Sequence, residues 1–200
     1  MEQTSSVVAL RMPVRMAAAL LTGLRAAPTE IVASIDCDCS YDPDDIAGML
    51  PLIENADLVT ASPYHPSGRV MNVPPWRLFL SKVSSWLYRR VLRQKLYTYT
   101  SCFRLYRRSV VVDLPVRETG FLGIAEILGK LDLCGSRIVE FPAVLEVRML
   151  GRSKMKTVRT ILGHLKLMTR LLWLRLWRWG KSPPAPAPEL QVTPAQETHA

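Results

Sequence analysis

Apolar and polar positions along the chain switch between helical and extended spacing, and the switches mark out the elements. From about Val14 to Ala27 the pattern predicts a helix. Ala19, Gly23 and Ala27 fall on one face, where small side chains allow close packing against a sheet. The apolar run Ile31–Ile35 predicts a short buried strand. Asp42-Pro43-Asp44-Asp45 then reads as an N-cap, a first-turn proline and two acids at the positive helix end, opening a helix over Ile46–Ile53. Ala56–Ala61 predicts a second strand. Strand, helix, strand is the unit of an α/β sheet.

The middle of the chain is looser. Ser62–Pro75 reads as loop from its Pro, Gly, Asn and Ser content. Trp76–Leu92 carries Leu80, Val83, Leu87 and Val91 at helical spacing. Phe121–Leu133 predicts another helix. Arg137–Glu146 predicts a strand in which Pro142 argues for an edge or a bulge.

The C-terminal pattern is different. Val158, Ile161, Leu165, Met168 and Leu172 form one apolar stripe, and Lys156, Arg159, Lys166 and Arg170 fall on the opposite face. Trp173, Trp177 and Trp179 then alternate with Arg175, Arg178 and Lys181, and no acid occurs between Lys154 and Lys181. A spanning helix needs about 20 apolar residues, and this segment is charged every few positions. The pattern predicts an amphipathic helix lying in a membrane interface. A core-packed helix and a nucleic-acid-binding basic helix are weaker fits. The Pro/Ala-rich end, residues 181–200, predicts a disordered tail.

Composition adds a frame. Two hundred residues suit one domain with a real core. A formal charge of +9 implies an anionic partner: nucleic acid, phosphorylated substrate or acidic membrane. Cys37, Cys39, Cys102 and Cys134 fit no zinc spacing and are expected as reduced, mostly buried thiols of a cytosolic protein. The start, MEQTSS, lacks the basic region of a signal peptide.

The densest chemistry follows the first strand. Asp36 and Asp38 stand one residue apart at its end. Such a pair suits Mg²⁺ or Mn²⁺, which take oxygen ligands and share the remaining positions with phosphates and water. The same D-x-D spacing also serves as a capping and turn device.

Several segments together resemble the family 2 glycosyltransferases of the dolichol- or polyprenyl-phosphate mannosyltransferase type. They are Ala19-x-x-x-Gly23-x-x-x-Ala27, Asp36-Cys37-Asp38, Asp57-Leu58-Val59 and Ser62-Pro63-Tyr64. Thr100–Arg107 (TSCFRLYR), Gly120-Phe121 with Glu126, and Gly135-x-Arg137-Ile138-x-Glu140-x-Pro142 follow. Arg148-x-x-Gly151-x-Ser153-Lys154 closes the series. Order and spacing agree over about residues 16–156. The resemblance implies a truncated GT-A-like mixed α/β sheet over residues 1–154, lacking the N-terminal nucleotide-binding half; the pattern of the C-terminal segment independently adds the interfacial helix over 155–180. The chain departs from the family at Pro63, where arginine is usual, at Cys102, where glycine is usual, and at Thr98, where an acid is usual.

What the resemblance implies chemically is transfer of a sugar from a nucleotide sugar donor to a polyprenyl-phosphate acceptor. The transfer would be metal-assisted, at the cytoplasmic face of the membrane and with no nucleic acid. Asp36 and Asp38 would hold Mg²⁺ or Mn²⁺. Arg148, Ser153 and Lys154 would fold over phosphates. Arg104 would reach the acceptor phosphate, with a surface salt bridge as its plain alternative. Glu126 would orient the acceptor or tune a neighbouring pKa, with a solvated acid as its alternative. The missing half leaves a second expectation: a non-catalytic remnant or membrane-associated subunit that needs a partner for donor binding.

Overall fold

The computed structural model describes residues 15–146 and 157–178. In chain order the elements are α1 (Met16–Ala26), β1 (Ile31–Ser34), α2 (Asp45–Ile53), β2 (Leu58–Ser62), β3 (Arg69–Val70) and α3 (Pro75–Val91). There follow β4 (Arg104–Arg107), a 3-10 turn (Arg108–Val110), α4 (Leu122–Cys134), β5 (Ile138–Pro142), β6 (Val144–Leu145) and α5 (Thr157–Arg178).

β1, β4, β2 and β5 form a mixed sheet in that order, and β3 pairs with β6 in a separate small ribbon. Side-chain alternation along the strands builds two cores. On one face Val59, Leu105 and Phe103 meet Met49 and Ile53 of α2. On the other, Leu58, Tyr106 and Ile138 meet α1, α3, α4 and α5. β2 is buried at all five positions, as expected of an interior strand with helices on both faces. β1 pairs only with β4 among the described residues, so its outer edge has no strand partner there.

α4 is the central helix of the larger layer, buried almost all round. It ends where Gly135 adopts φ 87°, a left-handed conformation that glycine takes without a Cβ penalty. The Ser136 N–H closes the turn on the Leu131 carbonyl at 3.0 Å. α5 packs on α4 and α3 through Leu167, Met168 and Leu171. Arg175 ties it further, donating from Nη1 to the carbonyls of Val91 and Leu92 at 2.8 and 3.2 Å, at the negative end of α3.

Several expectations change. Ala19 is exposed and a Cβ at Gly23 would meet nothing within 4 Å among the described residues, so these two small residues are not packed against the sheet there. The buried face is Ala17, Leu21 and Leu24, turned toward α4 and the core. Asp42 does not cap α2 directly; its carboxylate accepts the Asp44 N–H at 3.0 Å, one turn ahead of the helix. The predicted strand Arg137–Glu146 is broken at Ala143 into β5 and β6. Pro142 ends β5, which is an edge strand of the main sheet. Three of the four cysteines are exposed; only Cys102 is buried, and all four are free thiols. Arg170 does not lie on a solvated face of α5, because it is drawn into an ion-pair network described below. No helix among the described residues is long and apolar enough to cross a membrane. Residues 181–200 lie outside the described residues.

Candidate active site at the strand ends

Strand direction decides which segments meet. β1 and β2 both run antiparallel to β4, and β5 runs parallel to β2. The carboxyl ends of β1, β2 and β5 therefore share one edge with the amino end of β4. That edge gathers Asp36 and Asp38, the Ser62-Pro63-Tyr64 loop, the Thr100–Phe103 approach to β4, and Glu140. Open α/β sheets place their ligand crevices at such strand ends.

Asp36 and Asp38 are half-buried on the turn that leaves β1. Asp38 Oδ1 accepts the Ser40 N–H at 3.1 Å, so one carboxylate also shapes the turn. Cys39 follows with φ 57°, in the left-handed region that non-glycine residues seldom occupy. The turn is fastened to the start of β4: Ser34 Oγ donates to the Cys102 carbonyl at 2.6 Å. The Cys102 thiol hydrogen-bonds to Asp36. Burial, then the Asp36 charge, pushes that thiol up to about 12, so Cys102 stays protonated and is a neighbour of the carboxylate pair rather than a thiolate ligand. Tyr41 packs on Phe103 with ring centroids 5.6 Å apart, and burial raises its phenol above the ordinary range.

Among the described residues no three His, Cys, Asp or Glu side chains are placed to share a metal ion. The Asp36–Asp38 pair is still a hard-oxygen donor set. It fits a divalent cation of the Mg²⁺ or Mn²⁺ kind whose remaining positions are filled by substrate phosphate and water.

Arg104 is neither a surface ion pair nor an open phosphate contact. Its side chain is 0% exposed. Nη1 donates to the Ile124 carbonyl and Nη2 to the Tyr99 carbonyl, each at 2.9 Å, and Nε lies 3.4 Å from Thr60 Oγ1. The guanidinium thus pins β4, the loop before it and α4 together. Glu126 is likewise enclosed rather than solvated. Oε1 lies 2.8 Å from both Lys130 Nζ and Arg170 Nη2, and Oε2 accepts the N–H groups of Arg117 and Glu118 at 3.0 and 2.7 Å. Burial alone would raise its pKa. The Lys130 contact, the Glu118 N–H and the Lys130 and Arg170 charges outweigh burial and hold the carboxyl below its usual value. Both side chains are enclosed by these partners. Arg148, Ser153 and Lys154 lie outside the described residues.

One residue of the crevice carried no role in the sequence reading. Glu140 accepts the N–H groups of Tyr97 and Thr98 at 2.8 Å each, which fixes the loop leading into β4. The Thr98 hydroxyl in turn lies 2.8 Å from Ser62 Oγ. The signal was the E-x-P segment itself. An acid just before a proline at the end of an edge strand has backbone N–H groups within reach across the neighbouring loop.

The fold and the acidic turn define the chain as a GT-A-like α/β domain. The description Glycosyl transferase family 2 matches residues 3–114, and the chain belongs to that family. It is 34% identical over 129 residues to the polyprenol monophosphomannose synthase of Mycolicibacterium smegmatis, covering 62% of this chain and 49% of that one. It is 31% identical over 129 residues to the undecaprenyl-phosphate mannosyltransferase of Micrococcus luteus, covering 63% and 53%. The chain thus spans about half the length of these curated relatives. Its fold resembles that of glucosyl-3-phosphoglycerate synthase from Mycobacterium tuberculosis, solved with Mn²⁺, UDP and phosphoglyceric acid. The TM-score is 0.55 at 20% identity, covering 82% of this chain and 56% of that one.

Proposed function

We propose that the chain forms the metal- and acceptor-side part of a glycosyltransferase that moves a sugar from a nucleotide-diphosphate sugar to a polyprenyl phosphate. The observation that carries this reading is the meeting of Asp36 and Asp38 with the Thr100–Phe103 segment at the strand carboxyl ends, in a member of family 2. The polyprenyl-phosphate mannosyltransferases among its relatives support the same acceptor class. In the reaction the bond from the sugar's anomeric carbon to the diphosphate breaks and a bond to an acceptor phosphate oxygen forms. The diphosphate leaves with the electron pair. A divalent cation, when bound, neutralises that departing charge. Asp36 and Asp38 would hold the cation. Cys102 and Ser34 keep the turn against β4, and Glu140 fixes the loop beside it. A phosphate acceptor is anionic near neutral pH, so no strong general base is needed. Arg148, Ser153 and Lys154 are assigned to phosphate binding by family resemblance alone. Arg104 and Glu126 act at a distance, by holding β4, α4 and α5 in place.

We assign the membrane as the docking surface. α5 exposes Leu162, Trp173, Leu176 and Trp177, and α3 exposes Trp76, Phe79 and Trp86. Neither helix contains an acid, and Arg90 lies 4.8 Å over the Trp86 ring. Aromatic side chains at headgroup depth beside cations suit an anionic lipid surface. In the family arrangement this surface is the cytoplasmic face.

The outer edge of β1, which has no strand partner among the described residues, favours a second reading, in which donor binding needs a further βα segment supplied by a partner. One experiment separates the two. The purified chain is incubated with Mn²⁺, labelled nucleotide sugars and vesicles containing polyprenyl phosphate. Lipid-linked sugar that is lost in Asp38→Asn supports the transferase. Vesicle binding without transfer supports the partner-dependent subunit.

A further inference from the structure

Side-chain exposure alternates along the acidic turn. Asp36 and Asp38 are half-buried, whereas Cys37 and Cys39 are exposed. The two thiols therefore share the solvent side of the segment, and the two carboxylates share the inner side. The chain turns at Cys37 and Asp38 and bends again at Cys39, whose φ of 57° lies in the left-handed region. Such a bend folds two Cα steps of about 3.8 Å and leaves the Cα atoms of Cys37 and Cys39 roughly 5–6 Å apart. A disulfide joins residues whose Cα atoms are about 4.4–6.8 Å apart. One S–S bond can thus close across Asp38 without movement of the rest of the fold.

The other two cysteines have different surroundings. Cys102 is buried, and its thiol meets Asp36 and lies 3.3 Å from Met16 Sδ. Cys134 is exposed at the end of α4, which leads into the amino end of β5, so it sits on the sheet edge opposite the acidic turn. Two exposed thiols side by side exchange readily with a disulfide, because the second thiol displaces what the first has taken up. A ring closed over one intervening residue is strained. Strained, exposed disulfides are the easily reduced ones, which makes the bond reversible.

We propose that Cys37 and Cys39 are a reversible modification site, oxidised by a low-molecular-weight disulfide to a Cys37–Cys39 disulfide that shuts the cation turn. In the first step one cysteine thiolate attacks a sulfur of the small disulfide. That S–S bond breaks, and one small thiol leaves with the electron pair. The second cysteine then attacks the mixed disulfide, and the second small thiol leaves. The protein gives up two protons and two electrons, and the small disulfide is reduced to two thiols. The new ring runs through the backbone of Asp38 and fixes its φ and ψ. It resets the turn that Asp38 Oδ1 and the Ser40 N–H now shape at 3.1 Å, so the two carboxylates no longer share one cation. This effect on cation binding rests on the metal reading above; the disulfide itself does not.

The test treats the full chain with oxidised glutathione, reads the cysteine peptides by mass spectrometry, and titrates Mn²⁺ in the presence of UDP or GDP by electron paramagnetic resonance. The peptide carrying Cys37 and Cys39 should lose two hydrogens and hold no glutathione, whereas Cys134 can take up only a mixed disulfide. Mn²⁺ affinity should fall at least tenfold and return on adding dithiothreitol. Cys37→Ser and Cys39→Ser should each trap a glutathione on the remaining thiol. The Cys37→Ser, Cys39→Ser double variant should keep its Mn²⁺ affinity through the same treatment, which separates the pair from Cys102 and Cys134. Separate glutathione adducts on Cys37 and Cys39, or unreacted thiols there beside a modified Cys134, would overturn the modification site. A disulfide that leaves Mn²⁺ affinity unchanged would overturn the switch. A reduced chain that binds no Mn²⁺ would sink the metal reading instead, and the peptide masses would still decide the disulfide.

Discussion

Replacing Arg104 by lysine and by methionine tests whether this arginine is a structural pin or a phosphate contact. Its two bonds to the Tyr99 and Ile124 carbonyls are 2.9 Å long and fully buried. Hydrogen bonds from charged donors contribute about 1.5–3 kcal/mol each. Arg104→Met loses both and regains part of the guanidinium's desolvation, for a net loss of about 3 kcal/mol. With a urea slope of about 2 kcal/mol per molar, the unfolding midpoint should fall by about 1.5 M. Arg104→Lys should be no milder. A single ammonium cannot span both carbonyls in the fork geometry of a guanidinium, yet it carries the same charge into the core. Urea unfolding followed by far-ultraviolet circular dichroism reads both variants. A lysine variant within about 0.5 kcal/mol of the parent, with weakened binding of inorganic phosphate, would refute the pin and restore a phosphate role.

Three further outcomes follow from the packing. His164 has a pKa near 4 in the fold against an ordinary 6.5, so the unfolded chain binds the extra proton between those values. Stability should therefore fall as pH drops from about 6.5 to about 4, by up to about 3 kcal/mol, and urea midpoints of His164→Gln should lack that slope. Glu126 has a depressed pKa, so its contribution is full above its ordinary 4.5 and is lost as pH falls through its lower folded value. Glu126→Gln should lower stability at pH 7 and flatten the acid limb, and an unchanged acid limb would count against the network. A Cβ at Gly123 would strike the Glu118 carbonyl and Ala17 Cβ. Gly123→Ala should cost about 1–3 kcal/mol in thermal unfolding, despite its higher helix propensity.

How much was legible in sequence depended on whether a pattern was local. The strand Ile31–Ser34 and the helices Pro75–Val91 and Leu122–Cys134 were read within a residue or two, because their periodicity lies within a single segment. Pro142 correctly marked an edge, because proline's missing N–H is a local constraint. Strand order was not legible: β4 comes from a polar-looking segment, and its place between β1 and β2 depends on pairing distant in the chain. The burial of Arg104 and Glu126 was hidden for a related reason. A charged residue in a motif looks exposed, and only the tertiary fold shows the carbonyls and ions that enclose it. α5 was read as having one apolar stripe. The structure uses Leu167, Met168 and Leu171 for packing and leaves a second apolar face on Leu162, Trp173 and Leu176, which a single-face pattern cannot separate. On α3 the sequence pattern picks out Leu80, Val83, Leu87 and Val91, and the exposed row Trp76, Phe79, Val83 and Trp86 shares only Val83 with it.

In the proposed function, Asp36 and Asp38 form a divalent cation site for a diphosphate at the strand ends. Mn²⁺ titration of the chain, followed by electron paramagnetic resonance with and without UDP or GDP, addresses it most directly. Weak Mn²⁺ binding is expected, tightening at least tenfold with nucleoside diphosphate and lost in the Asp36→Asn, Asp38→Asn double variant. Undiminished Mn²⁺ and diphosphate binding by a folded double variant would contradict it.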